Sequence, residues 1–272
     1  MEDIILLNDD STQAVHAAEY AYNLACLYGK SIIVANLKRA AGHFASPVSL
    51  THLHDQIYTT ETDDITDHLY NLKACPGVQP HITVAEAAGL AEQDIAKFIN
   101  SQKTWMVVHS AAFGDHGSIP LINLQSVLNR VQCPFLMVPA NSAIRPPERI
   151  AYLADLRYAQ LPVLNFLKRM NTGRESVILA HICAQGLPDL DKEYAVDLFN
   201  TGLSRNVQNS QLFFSHLRVK DFASCVDQVV NGMQADMLVC VNHHFHFERL
   251  MGGNVGSAMP ADINIPILVF PQ

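Results

Sequence analysis

Trp105-Met106-Val107-Val108-His109, followed 28 residues after Met106 by Pro134-Phe135-Leu136-Met137-Val138-Pro139, is written a second time in the chain. Leu238-Val239-Cys240-Val241-Asn242 is followed at the same 28-residue interval by Pro266-Ile267-Leu268-Val269-Phe270-Pro271, so both runs recur at an offset of 132 (106 to 238 and 134 to 266). Working outward, the starts recur as well. Ile4 to Ser11 and Ile150 to Arg157 are apolar runs that end in an acid, Asp9 and Asp155, at an offset of 146, which gives the first unit 14 extra residues ahead of its fourth strand. A unit repeated at this length is the first thing to settle, because it dictates the architecture.

Within the first unit, β-rich runs (Ile4–Asn8, Ser31–Asn36, His81–Glu86, Trp105–His109, Pro134–Val138) alternate with helical patterns at Thr12–Tyr28, Asp64–Ala74, Leu90–Ser101 and Asn123–Val131. Ser11 reads as the N-cap of the first helix, Val15, Ala18, Tyr22, Ala25 and Cys26 as its apolar face, and Gly29 as its C′ stop. The second unit repeats the order with strands at Ile150–Ala154, Ser176–Ile182, Leu212–Leu217, Met237–Asn242 and Ile267–Phe270. Strands that are apolar along their length and alternate with helices form a parallel sheet covered on both faces. The expected fold is therefore α/β, a doubly wound five-stranded parallel sheet built twice. The aperiodic Ala140 to Glu148, with Pro146-Pro147, is a stiff connector. It divides the chain into domains 1–141 and 148–272. His43 to Thr60, which carries most of the extra residues and includes His52 and His54, is a long connection that reads either as a poorly ordered excursion or as a lid or contact loop.

Composition narrows the function. The 272 residues carry 18 Lys+Arg against 26 Asp+Glu, a net charge of −8, which argues against a broad grip on nucleic acid or anionic lipid. Six scattered cysteines, Cys26, Cys75, Cys133, Cys183, Cys225 and Cys240, form no C-x-x-C pair, so buried thiols in a reducing cytoplasm are expected, with no disulfide framework and no metal centre. The opening Met1-Glu2-Asp3 lacks a basic leader, and no apolar run reaches the length of a membrane span.

The run from Ile4 through Asn8-Asp9-Asp10-Ser11, with Ala17-Ala18-Glu19-Tyr20-Ala21 and Leu27-Tyr28-Gly29 after it, resembles the opening of a universal stress protein domain. The runs Cys133 to Pro139 and Pro266 to Pro271 resemble that family's last strand. The resemblance covers nearly the whole chain as two tandem domains. It implies Rossmann-like sheets, dimerisation through the last strands and, in one branch, ATP held by G-x2-G-x9-G-[ST] after the fourth strand. Glycines there let backbone N–H groups reach phosphate oxygens. Here Gly253-Asn254 takes the place of the final pair, but Cys240 and His243 stand where the earlier glycines belong. In the first unit Val108, Ala111 and Leu121-Ile122 replace the whole motif. Gly114 and Gly117, like Gly253 and Gly256, form only an out-of-register G-x-x-G.

Candidate ligand residues are Asp155, His243, Gly252, Gly253 and Asn254, with Asp9 in the first unit. In an open α/β sheet the loops after the first and fourth strands meet at the switch point. The resemblance makes Asp9 and Asp155 adenine contacts, and capping of the following loop is the other reading of both. His181, His243, His244 and His246 are imidazoles able to converge near Asp155, without the spacing of a defined metal site. Enzyme signatures are missing: there is no G-x-S-x-G, no G-x-x-x-x-G-K-[ST] and no strand-linked G-x-G-x-x-G. Asp9-Asp10 also resembles a receiver-domain acidic pocket, but Glu86 and Val131-Gln132-Cys133 stand where the phosphoacceptor Asp and the Lys are needed.

The expected protein is a non-catalytic, cytoplasmic stress-response or signalling module with a degenerate nucleotide site and no obligatory cofactor. Its partners are proteins or a second copy of itself, and its two units pair as a pseudo-dimer through Phe135–Val138 and Ile267–Phe270. The alternative is an ATP or adenine-nucleotide sensor, or weak hydrolase, using the second domain only.

Overall fold

The computed structural model describes residues 2–11, 13–37, 64–72, 78–111, 122–183, 189–207, 211–218, 222–250 and 263–272. The chain divides into two compact units, with the main boundary between Pro146 and Pro147. The first contains β1 (Asp3–Asn8), α1 (Ala14–Tyr28), β2 (Ser31–Asn36), α2 (Asp64–Asn71), β3 (Ile82–Glu86), α3 (Glu92–Ser101), β4 (Thr104–Ala111), α4 (Leu124–Leu128) and β5 (Phe135–Pro139). Its strands lie in the order β3-β2-β1-β4-β5 and every pairing is parallel. β1 and β4, at the centre, are closed off from solvent from Ile4 to Leu7 and from Met106 to Val108. Such strands read as continuous apolar runs because helices cover both faces.

The second unit contains β6 (Arg149–Ala154), a 3-10 turn (Leu156–Tyr158), α5 (Leu161–Met170), β7 (Ser176–Cys183), α6 (Lys192–Leu198), β8 (Leu212–Arg218), α7 (Phe222–Asp227), β9 (Met237–Val241), α8 (Phe245–Leu250) and β10 (Ile267–Phe270). The order is β10-β9-β6-β7-β8, again parallel throughout. Helix α6 runs on through a π-helical stretch, Phe199–Ser204, before Arg205–Val207. β6 is anchored at its start by Asp236, whose carboxylate accepts the N–H groups of Glu148 (3.0 Å) and Arg149 (2.9 Å). No helix among the described residues is long and apolar enough to cross a membrane, and the described cysteines are free thiols.

Two local expectations need correction. Ser11 does not cap α1. Its N–H donates to Asp9 Oδ1 (3.1 Å), Asp10 turns left-handed at φ 58°, and the helix starts at Ala14, whose N–H donates to the Ser11 carbonyl (3.0 Å). An Asx turn has taken the residue that the helix would have used. Val15 is exposed, because the buried side of α1 is formed by Ala14, Ala17, Ala18, Ala21, Tyr22, Leu24 and Ala25 against β4 and α2.

Gly29 ends α1 at φ 60°, donating its N–H to the Ala25 carbonyl. A Cβ there would meet nothing within 4 Å, so Gly29→Ala carries only the conformational cost. We expect a loss of about 1 kcal/mol from the left-handed backbone. Urea denaturation measures it, and an unchanged midpoint would contradict the cap.

Candidate functional site

In each sheet the strand order reverses between the first and fourth strands, and the carboxyl ends of those strands mark the switch point at which open α/β sheets form a ligand crevice. In the first unit the crevice lies between β1 and β4, which pair from Ile4–Met106 to Leu7–His109. Asp9 follows β1 and places Oδ2 3.9 Å from His109 Nε2. His109 is buried with Nδ1 against the Ser110 carbonyl. Burial pulls its pKa below the ordinary histidine range, against the opposing pull of Asp9 and that carbonyl. The ring is therefore neutral at pH 7. Its Nδ1–H serves Ser110, leaving Nε2 as an acceptor. His109 Nε2, Ser11 Oγ and Gln13 Oε1 are buried without a hydrogen-bond partner among the described residues. The Asp9 carboxylate and His109 Nε2, which face each other here, are acceptors, while the Ser11 hydroxyl can donate as well as accept. The Asp9–His109 pair suits a ligand that brings hydroxyl or amino donors and disfavours phosphate.

In the second unit the acid after β6 is engaged already. Asp155 accepts Arg157 N–H (3.0 Å) and Arg157 Nε–H (2.9 Å), and Arg157 Nη2 completes a bidentate ion pair. Burial alone would raise the Asp155 pKa, but these bonds and the guanidinium charge outweigh it and hold the carboxyl below its usual range. At the end of β7, His181 is fully enclosed, and its Nδ1 accepts the Leu156 N–H (3.2 Å). His246, on α8, is buried, and desolvation drives its pKa down to about 4 despite the pull of Asp155. His244 is half-buried and shifted down by desolvation. His243 is exposed at φ 59°, its N–H held by Asn242 Oδ1 (3.1 Å).

Of the residues singled out in sequence, Asp155 and Asp9 thus stand at the two switch points, and His243 points outward. His181 and His246 are the imidazoles on which Asp155 acts electrostatically. Gly252, Gly253 and Asn254, and likewise Gly114, Gly117, Gly256, His52 and His54, lie outside the described residues.

Sequence reading passed over Cys183. It is half-exposed at the end of β7, with Sγ 3.6 Å from His181 Nε2 and 3.4 Å from His216 Nε2. The parallel register pairs His181 with His216 directly, and Cys183, two residues on, shares their face. The signal was H-x-C on one β-run and a histidine on the next, legible only once the two strands are aligned.

No family model and no curated protein matches the chain. Solved structures do. A universal stress protein from Archaeoglobus fulgidus DSM 4304 superposes with a TM-score of 0.58 at 12% identity, over 99% of this chain and 96% of that one. A Pseudomonas aeruginosa UCBPP-PA14 protein assigned to the universal stress proteins gives 0.55 at 12% identity, over 100% and 93%. A protein of unknown function from Pseudomonas aeruginosa PAO1 gives 0.54 at 11% identity, with the same coverage. The chain has, over its full length, the fold of universal stress protein structures, and at these identities the likeness is one of fold.

Proposed function

We propose that this chain is a tandem universal stress-type protein of the cytoplasm that works as a non-catalytic stress or signalling module, with nucleotide binding degenerate in both units. The observation that carries the reading is the chemistry of the two crevices. Asp155 is neutralised by its own Arg157, and the Asp9–His109 crevice presents acceptors where a phosphate needs donors. Its partners are then proteins, or a second copy of itself. β5 and β10 each end the strand order of their own unit with apolar sequence, FLMVP and ILVF, and an unpaired apolar edge invites association.

The second reading, an adenine-nucleotide sensor or weak hydrolase acting through the second unit, requires Asp155 to exchange Arg157 for the ligand. One experiment separates the two. Purified protein is denatured and the supernatant assayed for nucleotide, and the native chain is scanned thermally with ATP, ADP and AMP. A ligand present at 100 times its Kd would add about 2.7 kcal/mol, a readily visible rise in Tm. We expect no co-purified nucleotide and no such rise. A rise lost in Asp155→Ala and kept in Asp9→Ala would establish the sensor instead.

A further inference from the structure

The two-histidine, one-cysteine face of β7 and β8 goes beyond the reading above and does not depend on it. Cys183 Sγ stands 3.6 Å from His181 Nε2 and 3.4 Å from His216 Nε2. Bonds of about 2.3 Å to sulfur and 2.0–2.1 Å to nitrogen at tetrahedral angles give a sulfur–nitrogen edge of about 3.6 Å. Two of the three edges of a metal-binding triangle are therefore already at coordination spacing. The ligand atoms of all three residues lie within 4.8 Å of one another. The imidazole–imidazole edge then needs at most about 1.5 Å of closure to reach its tetrahedral length. His216 is half-exposed and is the side chain that must shift, while His181 is enclosed in the sheet.

From this geometry we propose that His181, Cys183 and His216 form a binding site for a zinc-type divalent ion. One thiolate and two imidazoles are a donor set for borderline-soft metals and a poor one for magnesium or calcium. Asp189, whose carboxylate interacts with the Cys183 thiol and is now paired with Arg218 at 3.0 Å, is a candidate for the fourth position. It can supply an oxygen or leave the place to water.

Loading has a definite proton balance. The Cys183 thiol releases its proton to solvent and binds as thiolate. Each imidazole keeps one proton, which moves from Nε2 to Nδ1. At His181 this breaks the bond that Nδ1 accepts from the Leu156 N–H (3.2 Å), a cost that the metal–nitrogen bond must outweigh, and at His216 it frees Nε2 from the Leu190 carbonyl (3.1 Å). The Ala154 backbone, which already interacts with His181, and Asp155, which acts on it electrostatically, are the groups able to favour the new Nδ1–H, as second-shell acceptors do for metal-bound histidines. One proton leaves per ion bound.

The test uses the full-length chain, reduced and stripped with a chelator, titrated with cobalt(II) and then zinc(II). The expected result is one ion per chain, a thiolate-to-cobalt charge-transfer band with the strong visible bands of tetrahedral cobalt, displacement by zinc, and release of about one proton. Cys183→Ser, nearly isosteric, should abolish the charge-transfer band. The partly exposed His216→Gln should weaken binding at least about 100-fold, beyond the 10- to 100-fold typical of second-shell changes. His243→Gln should change neither. Absence of the band in the wild type overturns the site. So does a band and affinity that survive Cys183→Ser, which would place the ion elsewhere.

Discussion

Replacing Tyr152 with alanine is expected to lower stability by about 3–5 kcal/mol, the range for truncating a fully buried aromatic ring. Tyr152 is the central residue of β6, 0% exposed, registered against Leu179 on β7 and Val239 on β9. The ring is enclosed by the middle of the second unit, so little can collapse into the space it leaves. Its hydroxyl also accepts the N–H of Gln160 (3.2 Å), the residue preceding α5. That bond matters because Gln160 offers α5 no side-chain cap of its own. Burial lifts the phenol to a pKa of about 12, so it stays neutral through the accessible pH range. Tyr152→Phe keeps the ring and should cost only about 1 kcal/mol, the net value of one hydrogen bond. Chemical denaturation of both variants separates packing from bonding. A loss below 1 kcal/mol for the alanine variant would show that the ring is not packed as described.

Acidification should destabilise the second unit through His246. Its folded pKa is about 4, and an unfolded histidine titrates near 6.5. Between these values the unfolded chain binds the proton that the folded one refuses, so stability is full above pH 6.5 and falls as pH drops toward 4. A gap of about 2.5 units corresponds to about 3 kcal/mol at the acid end. The titratable groups acting on His246 are Asp155, which favours its charge, and His181 and His244, which oppose it. His109 and His181 are also held below their ordinary range by burial and act in the same direction. Comparing the wild type with His246→Leu across this window cancels what the two proteins share. The wild type should lose about 3 kcal/mol more than the variant, and parallel pH profiles would remove His246 as the cause.

The fold was legible because its signal is redundant. Ser31–Asn36 and Ile267–Phe270 occupy the span of the predicted strands, and the other strands shift by only one or two residues, since an apolar run in a doubly covered sheet has few other uses. Helix starts were harder to read. Nothing in Ser11 itself says that Asp9 will claim its N–H first. The site was least legible, because its chemistry depends on contacts across strands and on rivals nearby in sequence. Asp155 carried the right acid at the right edge, but Arg157, two residues on, occupies it. His243 was singled out by its motif position, whereas His181 and Cys183 become neighbours of His216 only through the β7–β8 register.

The place of β1 at the middle of its sheet bears on how the chain leaves the ribosome. β1 is synthesised before both its partners, and its pairing with β2 needs residues only to Asn36, but its other edge pairs with β4, which begins at Thr104. For the interval in which those residues are being made, at roughly 5–20 residues per second, Ile4 to Leu7 offer a bare apolar edge for seconds. Wide separation in sequence also slows the closure itself. The same delay recurs between β6 and β9. Nascent chains of this protein should therefore recruit holding chaperones in two successive windows, each closing as a fourth strand emerges.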